Sequence, residues 1–467
     1  MGAGVVNGGR ERASKVAMDP AEVAREHSPT KLDIQVGLIV DTFAENGIGV
    51  GVARYPDGTL DFLYEEGVIL VRDAYLREVV AFLAERRRDD TQREEAREPP
   101  PTGLVPGAEG VLPGVSIYSL AGTGFTVLDA LDEVDARFGV GVATPVHILS
   151  VTPVYACPAT EPEEVPPQAR PDPGECEGGG TGVFIYVTDT GLLEDADDHP
   201  WLAGVTGQHD PPPGVSASPI PAYTGHGTFV AGVARCMAPV AQVRVTRDFD
   251  KAGALSEHEL VKRLGQALGL GPDVINLSAG GTTRKNLPLL GFEAFWDTYR
   301  NYKGTVLVAS AGNNSSRRPF WPAAFPQVVS VGALAANGRD RAYFSDFGPW
   351  VDVYAPGEGL VNAYATGPYI CREPPHTGDV RHFHGMARWS GTSFAAPLVA
   401  GLVAARISRT GEDGRQAADA LLAQARAQRI PGVGPVLWPC DTGDLGCPRC
   451  CCQPGCGCQA GCGCHGR

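Results

Sequence analysis

Three separated stretches of the chain set a carboxylate, an imidazole and a hydroxyl beside glycine. They are Val187-Thr188-Asp189-Thr190-Gly191, Gly225-His226-Gly227-Thr228-Phe229-Val230-Ala231-Gly232 and Gly391-Thr392-Ser393-Phe394-Ala395-Ala396-Pro397. A serine hydroxyl is a weak nucleophile and gains reactivity from a neighbouring base that a third group orients. Ser393 opens an apolar run through Leu398 and Ala405, the pattern of a buried helix. At a helix start its hydroxyl sits among unpaired N–H groups at the positive end of the dipole, where developing negative charge is stabilised. Helix capping alone also accounts for a serine there. Asp189 follows the apolar strand Val183–Thr188, on the sheet edge where α/β proteins place their sites, although an aspartate before glycine is also an ordinary turn residue. The glycines around His226 admit close approach of other backbone and make a packing role less apt. Asn313, in Ala311-Gly312-Asn313-Asn314, offers a side-chain amide to a developing oxyanion, with a turn asparagine as the plain alternative.

The elements that must position these groups follow from periodicity. From Thr181 onward, apolar strands at Val183–Val187, Val274–Leu277, Val306–Ala309 and Val328–Val331 alternate with helical stretches such as Leu255–Leu268. That alternation predicts an α/β fold, a three-layer catalytic domain over residues 181–430 with a mostly parallel sheet. Residues 35–155 read as a small α+β ferredoxin-like domain. Strands at Val68–Val71, Val115–Leu120 and Val146–Val151 alternate with helices at Leu76–Leu83 and Val127–Phe138, and one strand is unplaced. Residues 1–34 read as disordered, and residues 86–102 as a charged, proline-rich loop. Residues 156–180, rich in Pro, Gly and Glu, read as an exposed linker carrying Cys157 and Cys176, a preferred proteolytic site. Residues 431–467 form a disordered, cysteine-rich low-complexity tail.

The 467 residues carry a net charge of −15, which disfavours nucleic acid and anionic membranes as partners. The apolar run after Ser393 stops at Arg406, short of the ~20 residues of a membrane span. Met1–Pro20 holds no apolar signal-like core, so the expected location is cytoplasmic, with export by an unrecognised route as the alternative. Of 13 cysteines, nine lie between Cys440 and Cys464, and reduced thiols are the expectation. The repeat Gly455-Cys456-Gly457-Cys458 and Gly461-Cys462-Gly463-Cys464 admits a thiolate cluster for a soft metal such as zinc or Cu(I), disulfide crosslinks, or a plain flexible tail. The stretch Tyr364–Arg388, with Cys371, His376, His382 and His384, reads as an exposed loop. Rimming the site and binding a metal are its other readings, and its spacing fits no recognised metal site.

In their order Asp, His, Ser, the three motifs closely resemble the subtilisin-like serine proteases, for which that order is a known signature. Asp198-His199-Pro200-Trp201-Leu202, Asn276-Leu277-Ser278-Ala279-Gly280-Gly281, Phe344–Asp352 and Ala355-Pro356-Gly357 are similar to further segments of that family. The resemblance spans residues 181–408. It implies that Ser393 attacks a peptide carbonyl to give an acyl-enzyme, that His226 shuttles the proton and that Asp189 orients the imidazole. It also implies that Asn313 and the Ser393 N–H hold the oxyanion, and that Ser278, Ala279 and Gly280 pair with substrate backbone as an added strand. Phe394 stands where a methionine is usual and Leu398 where a histidine is frequent; both spare the triad. Protein or peptide substrates follow, with no cofactor for catalysis and with structural calcium for which no ligands can be assigned. The N-terminal domain then resembles a prodomain, an intramolecular inhibitor cut within residues 153–181. The rival readings are a catalytically silent peptide-binding homologue using the same cleft, and a protease regulated by a metal-binding thiol tail.

Overall fold

The computed structural model describes residues 29–90, 113–151, 159–211, 218–249, 251–299, 304–373 and 375–441, the side chains of 29–33 and 87–90 excepted. The N-terminal 28 residues, the proline-rich stretch 91–112, Cys157 and the tail 442–467 lie outside the described residues, and so do the expectations that fall on them. The first unit runs α1 (Pro29–Glu45), β1 (Val50–Arg54), β2 (Leu60–Arg72), α2 (Leu76–Asp90), β3 (Val115–Ser119), α3 (Val127–Phe138) and β4 (Ala143–Ser150). β1 and β3 pair antiparallel with the two halves of β2, and β4 covers its other edge. The strand that sequence patterning left unplaced is β1. α3 starts at Thr126, whose hydroxyl accepts the Asp129 N–H at 3.2 Å. Its buried face, Val127, Ala130, Leu131 and Val134, packs with Val71, Val79 and Leu83.

Two expectations are corrected here. Helix α1 begins at Pro29, inside the segment expected to be disordered as far as residue 34, because Val36, Ile39 and Phe43 at helical spacing bury one face. The segment 159–180 is not an exposed linker. Its strand β5 (Glu163–Glu164) pairs with the hairpin described below, and the Glu161 carboxylate is buried, accepting the Tyr369 hydroxyl at 2.9 Å and the Arg372 N–H at 2.6 Å. Cys176 is buried and disulfide-bonded to Cys440 instead of reduced. Proline and glycine there mark irregular backbone that still docks on neighbours, as where the Asp172 and Val361 backbones exchange hydrogen bonds at 2.9 and 3.0 Å.

The second unit continues with β6 (Phe184–Asp189), β7 (Thr206–Gly207), α4 (His226–Met237), β8 (Gln242–Arg247), β9 (Ala254–Ser256), α5 (Glu257–Leu268), β10 (Val274–Leu277) and α6 (Leu290–Tyr299). It closes with β11 (Val306–Ser310), β12 (Val328–Leu334), β13 (Val353–Pro356), β14 (Leu360–Ile370), β15 (Val380–Trp389), α7 (Thr392–Thr410) and α8 (Gly414–Ala427). Seven strands form a parallel sheet in the order β13-β12-β11-β10-β6-β8-β7. Alternate residues face opposite layers: Ile185, Val187, Val306 and Val308 pack with α4, α7 and α8, while Tyr186, Ile275, Leu277 and Leu307 pack with α5 and α6. This is the three-layer α/β domain that the alternating pattern predicts. The Tyr364–Arg388 stretch is not a loop but the antiparallel hairpin β14–β15, which buries Tyr364, Tyr369, Cys371 and Phe383. Among the described residues no helix is long and apolar enough to cross a membrane.

The two units share a sheet, since β9 of the second pairs antiparallel with β4 of the first. The Cys176–Cys440 bond closes a span of 264 residues. Replacing Cys440 by serine is expected to lower unfolding free energy by about 2–4 kcal/mol. Denaturant melts of the variant and of wild type, each with and without reductant, check this: the reductant should destabilise wild type alone.

Candidate active site

Asp189 is the last residue of β6 and is fully buried. Its Oδ1 accepts the Thr190 N–H at 2.8 Å and meets His226 Nδ1 at 2.6 Å. A carboxylate only accepts, so Nδ1 carries the proton, and in the neutral imidazole Nε2 then presents its lone pair. Nε2 is buried with no hydrogen-bond partner in this arrangement. His226 is the first residue of α4, and the flanking glycines have the use their spacing suggested. Gly225 is left-handed at φ +86°, and a Cβ at Gly227 would lie 2.3 Å from the Gly191 carbonyl oxygen. The imidazole ring packs 5.4 Å from the Phe394 ring and 5.7 Å from Trp389, so Phe394 serves as an apolar wall.

Ser393 occupies the first turn of α7, and its neighbours fix both of its ends. The side-chain oxygen of Asn313, on the loop after β11, accepts the Thr392 N–H and the Thr392 hydroxyl, each at 2.8 Å. Those two donors set the amide with its carbonyl toward the helix and its NH₂ end away from it. Pro397 lies inside α7, four residues after Ser393, and has no N–H to give. The Ser393 carbonyl oxygen is instead bonded by the Ser278 hydroxyl at 2.8 Å, itself bonded by Asn276 Nδ2 at 3.0 Å. The proline in the motif thus opens the place where the strand after β10 attaches to the serine.

The cleft beside Ser393 holds the chain's own backbone. Ser150, the last residue of β4, exchanges both hydrogen bonds with Gly280 at 3.0 and 2.9 Å. On the opposite side Val151 N–H donates to the Gly253 carbonyl at 2.8 Å. The Ser393 hydroxyl lies 3.3 Å from the Val151 carbonyl oxygen and 3.5 Å from that of Ser278. Leu149 and Val151 are buried on one face of this strand, with Leu149 Cδ2 3.1 Å from where a Gly281 Cβ would stand. Of the residues expected to bind substrate, Gly280 pairs with this strand, Ser278 contacts Ser393 and Ala279 is buried in the cleft wall.

Charge complementarity surrounds the contact. Arg284 bonds Asp132 at 2.5 Å and Asp135 at 2.7 Å, Arg318 bonds Asp61 at 2.6 Å and Lys251 bonds Glu45 at 2.6 Å. His147 of β4 and Glu257 of α5 pair at 3.1 Å with both side chains buried. Sequence reasoning missed Thr190, Thr392, Pro397, Asp210 and Asp346 as working parts. Thr190, Thr392, Pro397 and Asp346 stood inside quoted stretches, whereas no local signal marks Asp210. Asp346 accepts the Asn314 and Ser316 N–H groups at 2.9 and 2.8 Å and so shapes the loop that carries Asn313. His376 pairs with Asp379 at 3.0 Å, and among the described residues no group of three His, Cys, Asp or Glu side chains converges to hold a metal.

A family model described as the subtilase family matches residues 180–432. A thermophilic serine proteinase of Bacillus sp. (strain AK1) is 31% identical over 274 residues, 55% of this chain and 59% of that protein. Thermitase of Thermoactinomyces vulgaris is 31% identical over 268 residues, 55% of this chain and 84% of its own length. Among solved structures, fervidolysin of Fervidobacterium pennivorans, a keratinolytic enzyme related to subtilisin, shares the fold at 22% identity with a TM-score of 0.53. That likeness covers 81% of this chain and 61% of that one.

Burial pushes the Asp346 carboxyl up to about 8, against two backbone N–H bonds that lower it. A carboxyl raised in the folded state favours folding below its unfolded value, near 3.9, and this contribution is lost as pH rises through the folded value. A shift of that size corresponds to on the order of 5 kcal/mol. The unfolding temperature is therefore expected to fall between about pH 4 and 8 and to level off above that, and Asp346→Asn to flatten the fall. Calorimetry on a Ser393→Ala background, which excludes self-digestion, checks this.

Proposed function

This chain belongs to the subtilase family of serine proteases, and from that premise we propose that it is a serine endopeptidase held in check by its own N-terminal unit. The observation that carries the reading is a peptide strand seated against Gly280 with its backbone at Ser393, beside an imidazole already bonded to a buried carboxylate. In the proposed reaction His226 Nε2 takes the Ser393 hydroxyl proton as Oγ attacks the substrate carbonyl. Asp189 holds the tautomer and stabilises the imidazolium. The NH₂ end of Asn313, set by Thr392, and the Ser393 N–H receive the oxyanion. His226 returns the proton to the leaving amine, and water then releases the acyl group by the same base. No step needs a metal, and structural calcium has no assigned ligands.

The same contacts support restraint by residues 29–151. The strand ending at Val151 fills the place of a substrate backbone, and the ion pairs with Arg284, Arg318 and Lys251 hold the unit that carries it. The Ala159 N–H bonds the Ser390 carbonyl at 3.0 Å, three positions before the nucleophile. The chain between Val151 and Ala159 is therefore tied at both ends beside Ser393, which narrows the expected cut from residues 153–181 to 152–158. Residues 159–180 stay with the enzyme after cleavage. The Cys176–Cys440 bond supports the exported alternative over the cytoplasmic one, because disulfides persist in oxidising compartments.

Wild type is expected to mature by a cut between residues 151 and 159 and to hydrolyse casein, while Ser393→Ala stays full length and inert. Intact mass and a serine-directed phosphonate label read both outcomes; a wild type that neither labels nor cuts is a silent homologue. Asn313→Ala is expected to lower kcat by about 10²–10³ with KM little changed, read by steady-state kinetics on a chromogenic peptide.

A further inference from the structure

The loop Gln208–Asp210 brings a second carboxylate to the backbone that flanks the catalytic histidine. Asp210 is 7% exposed and packs against two other loops, Asp189–Leu192 and Thr224–Gly227. Its backbone N–H donates to the Leu192 carbonyl at 2.9 Å, and Leu192 N–H donates back to Gln208 at 2.7 Å. Its Oδ2 accepts the Gly225 N–H at 2.8 Å and the Thr190 hydroxyl at 3.0 Å, while the Thr224 hydroxyl lies 3.5 Å from Oδ1. The Thr190 oxygen in turn accepts the Gly227 N–H at 3.1 Å. The amides on both sides of His226 therefore end on Asp210, one directly and one through Thr190. The Thr190 N–H is also the donor that fixes the Asp189 oxygen to which His226 is bonded.

We infer that Asp210 is a positioning residue for the reaction proposed above, a buried carboxylate that clamps the His226 backbone from both sides and, through Thr190, sets Asp189 against the imidazole. The inference rests on that reading of the site and adds a group the triad does not include. A neutral amide could satisfy Gly225, but a carboxylate holds these donors about twice as strongly. Small errors in histidine placement carry large kinetic costs.

The charged surroundings tie the clamp to pH. Desolvation pushes the Asp210 carboxyl up to about 6, opposed by its bonds to Gly225 and Thr190; Asp189 raises it further and Arg247 lowers it. Beyond it a cavity of about 320 Å³ is lined by Thr190, Arg247, Tyr223, Lys251 and Glu45, so a Lys–Glu ion pair and a phenol also face it. His209 precedes it in the chain, and His226 stands behind the two bonded loops. Asp210 therefore takes up a proton near pH 6, and the acid limb of activity should count that proton in addition to the one that blocks the general base.

The test compares wild type, Asp210→Asn, Asp210→Ala and Thr190→Val, each as the full chain, matured by a trace of wild type where self-cleavage is slow. For wild type, log(kcat/KM) is expected to fall between pH 6.5 and 5 with a slope approaching about two, and for Asp210→Asn about one. At pH 8, Asp210→Asn should lower kcat about ten-fold and Asp210→Ala about hundred-fold, with KM within about two-fold. Thr190→Val, which keeps the carboxylate but cuts the relay to Gly227, should lower kcat while keeping the steeper acid limb. An Asp210→Asn enzyme with wild-type slope and kcat overturns the inference, as do parallel losses in kcat and phosphonate-reactive fraction, which mark a merely structural role. If Asp210 variants do not fold, an unchanged kcat in Thr190→Val overturns it. A wild type that neither labels nor cuts peptide fails the protease reading itself, a result separable from all of these.

Discussion

A parallel sheet whose central strands are buried on both faces leaves the working polar groups one place to gather, the carboxyl edge of the sheet. Asp189 ends β6 there, Asn276 and Ser278 lie at the end of β10, and Asn313 follows β11. Helix α7 packs beneath the same strands, and its first turn presents Ser393 to that edge. From Phe394 to Ala405 the helix is buried and wholly apolar, so its polar side chains fall only in the first turn and from Arg406 onward. Its one irregularity, Pro397, falls where a lost helical bond frees the Ser393 carbonyl for Ser278. The chemistry of the edge and the apolar packing behind it are two results of one arrangement.

The N-terminal unit joins this edge through backbone first and charge second. β4 lies between β9 and the Gly280 segment, so its end is bonded along both sides. Exposed ion pairs such as Lys251–Glu45 contribute about 0–1 kcal/mol each and chiefly set orientation. The Arg284–Asp135 pair differs, since both side chains are nearly buried at 7% and 6% exposure. A desolvated pair is costly to break on one side alone, which makes it a register device more than a source of affinity.

The stretches that bring Asp189, His226, Ser393, Asn313 and Gly280 to one edge stand out in the sequence because each carries its own local grammar of glycine, hydroxyl and apolar run. The sheet was legible for the same reason, its strands being short apolar blocks. Asp210 was not, because its partners Gly225 and Thr190 lie 15 and 20 residues away and an isolated aspartate in a loop has no spacing to read; Asp346 lay inside a quoted segment, but its bonds to Asn314 and Ser316, 32 and 30 residues away, left no local trace. Segment 159–180 misled for a related reason. Proline and glycine report the absence of regular backbone, not where that backbone lies, and here it is woven onto β15 and tied to Cys440. The β14–β15 hairpin was obscured by histidine and arginine on its outer face. Helix α1 carried a clear period at Val36, Ile39 and Phe43, which the glycine-rich residues before it concealed.

The bond between Cys176 and Cys440 also orders events during synthesis. Cys440 is made 264 residues after Cys176, later than every strand of the parallel sheet. The N-terminal unit, by contrast, is complete before β6 has been translated. Its β4 edge is thus in place when β9 and the Gly280 segment emerge, and the nascent cleft can form around a strand already waiting for it. Cys440 is also made after both His226 and Ser393, so the staple cannot close until the whole of the cleft has been synthesised.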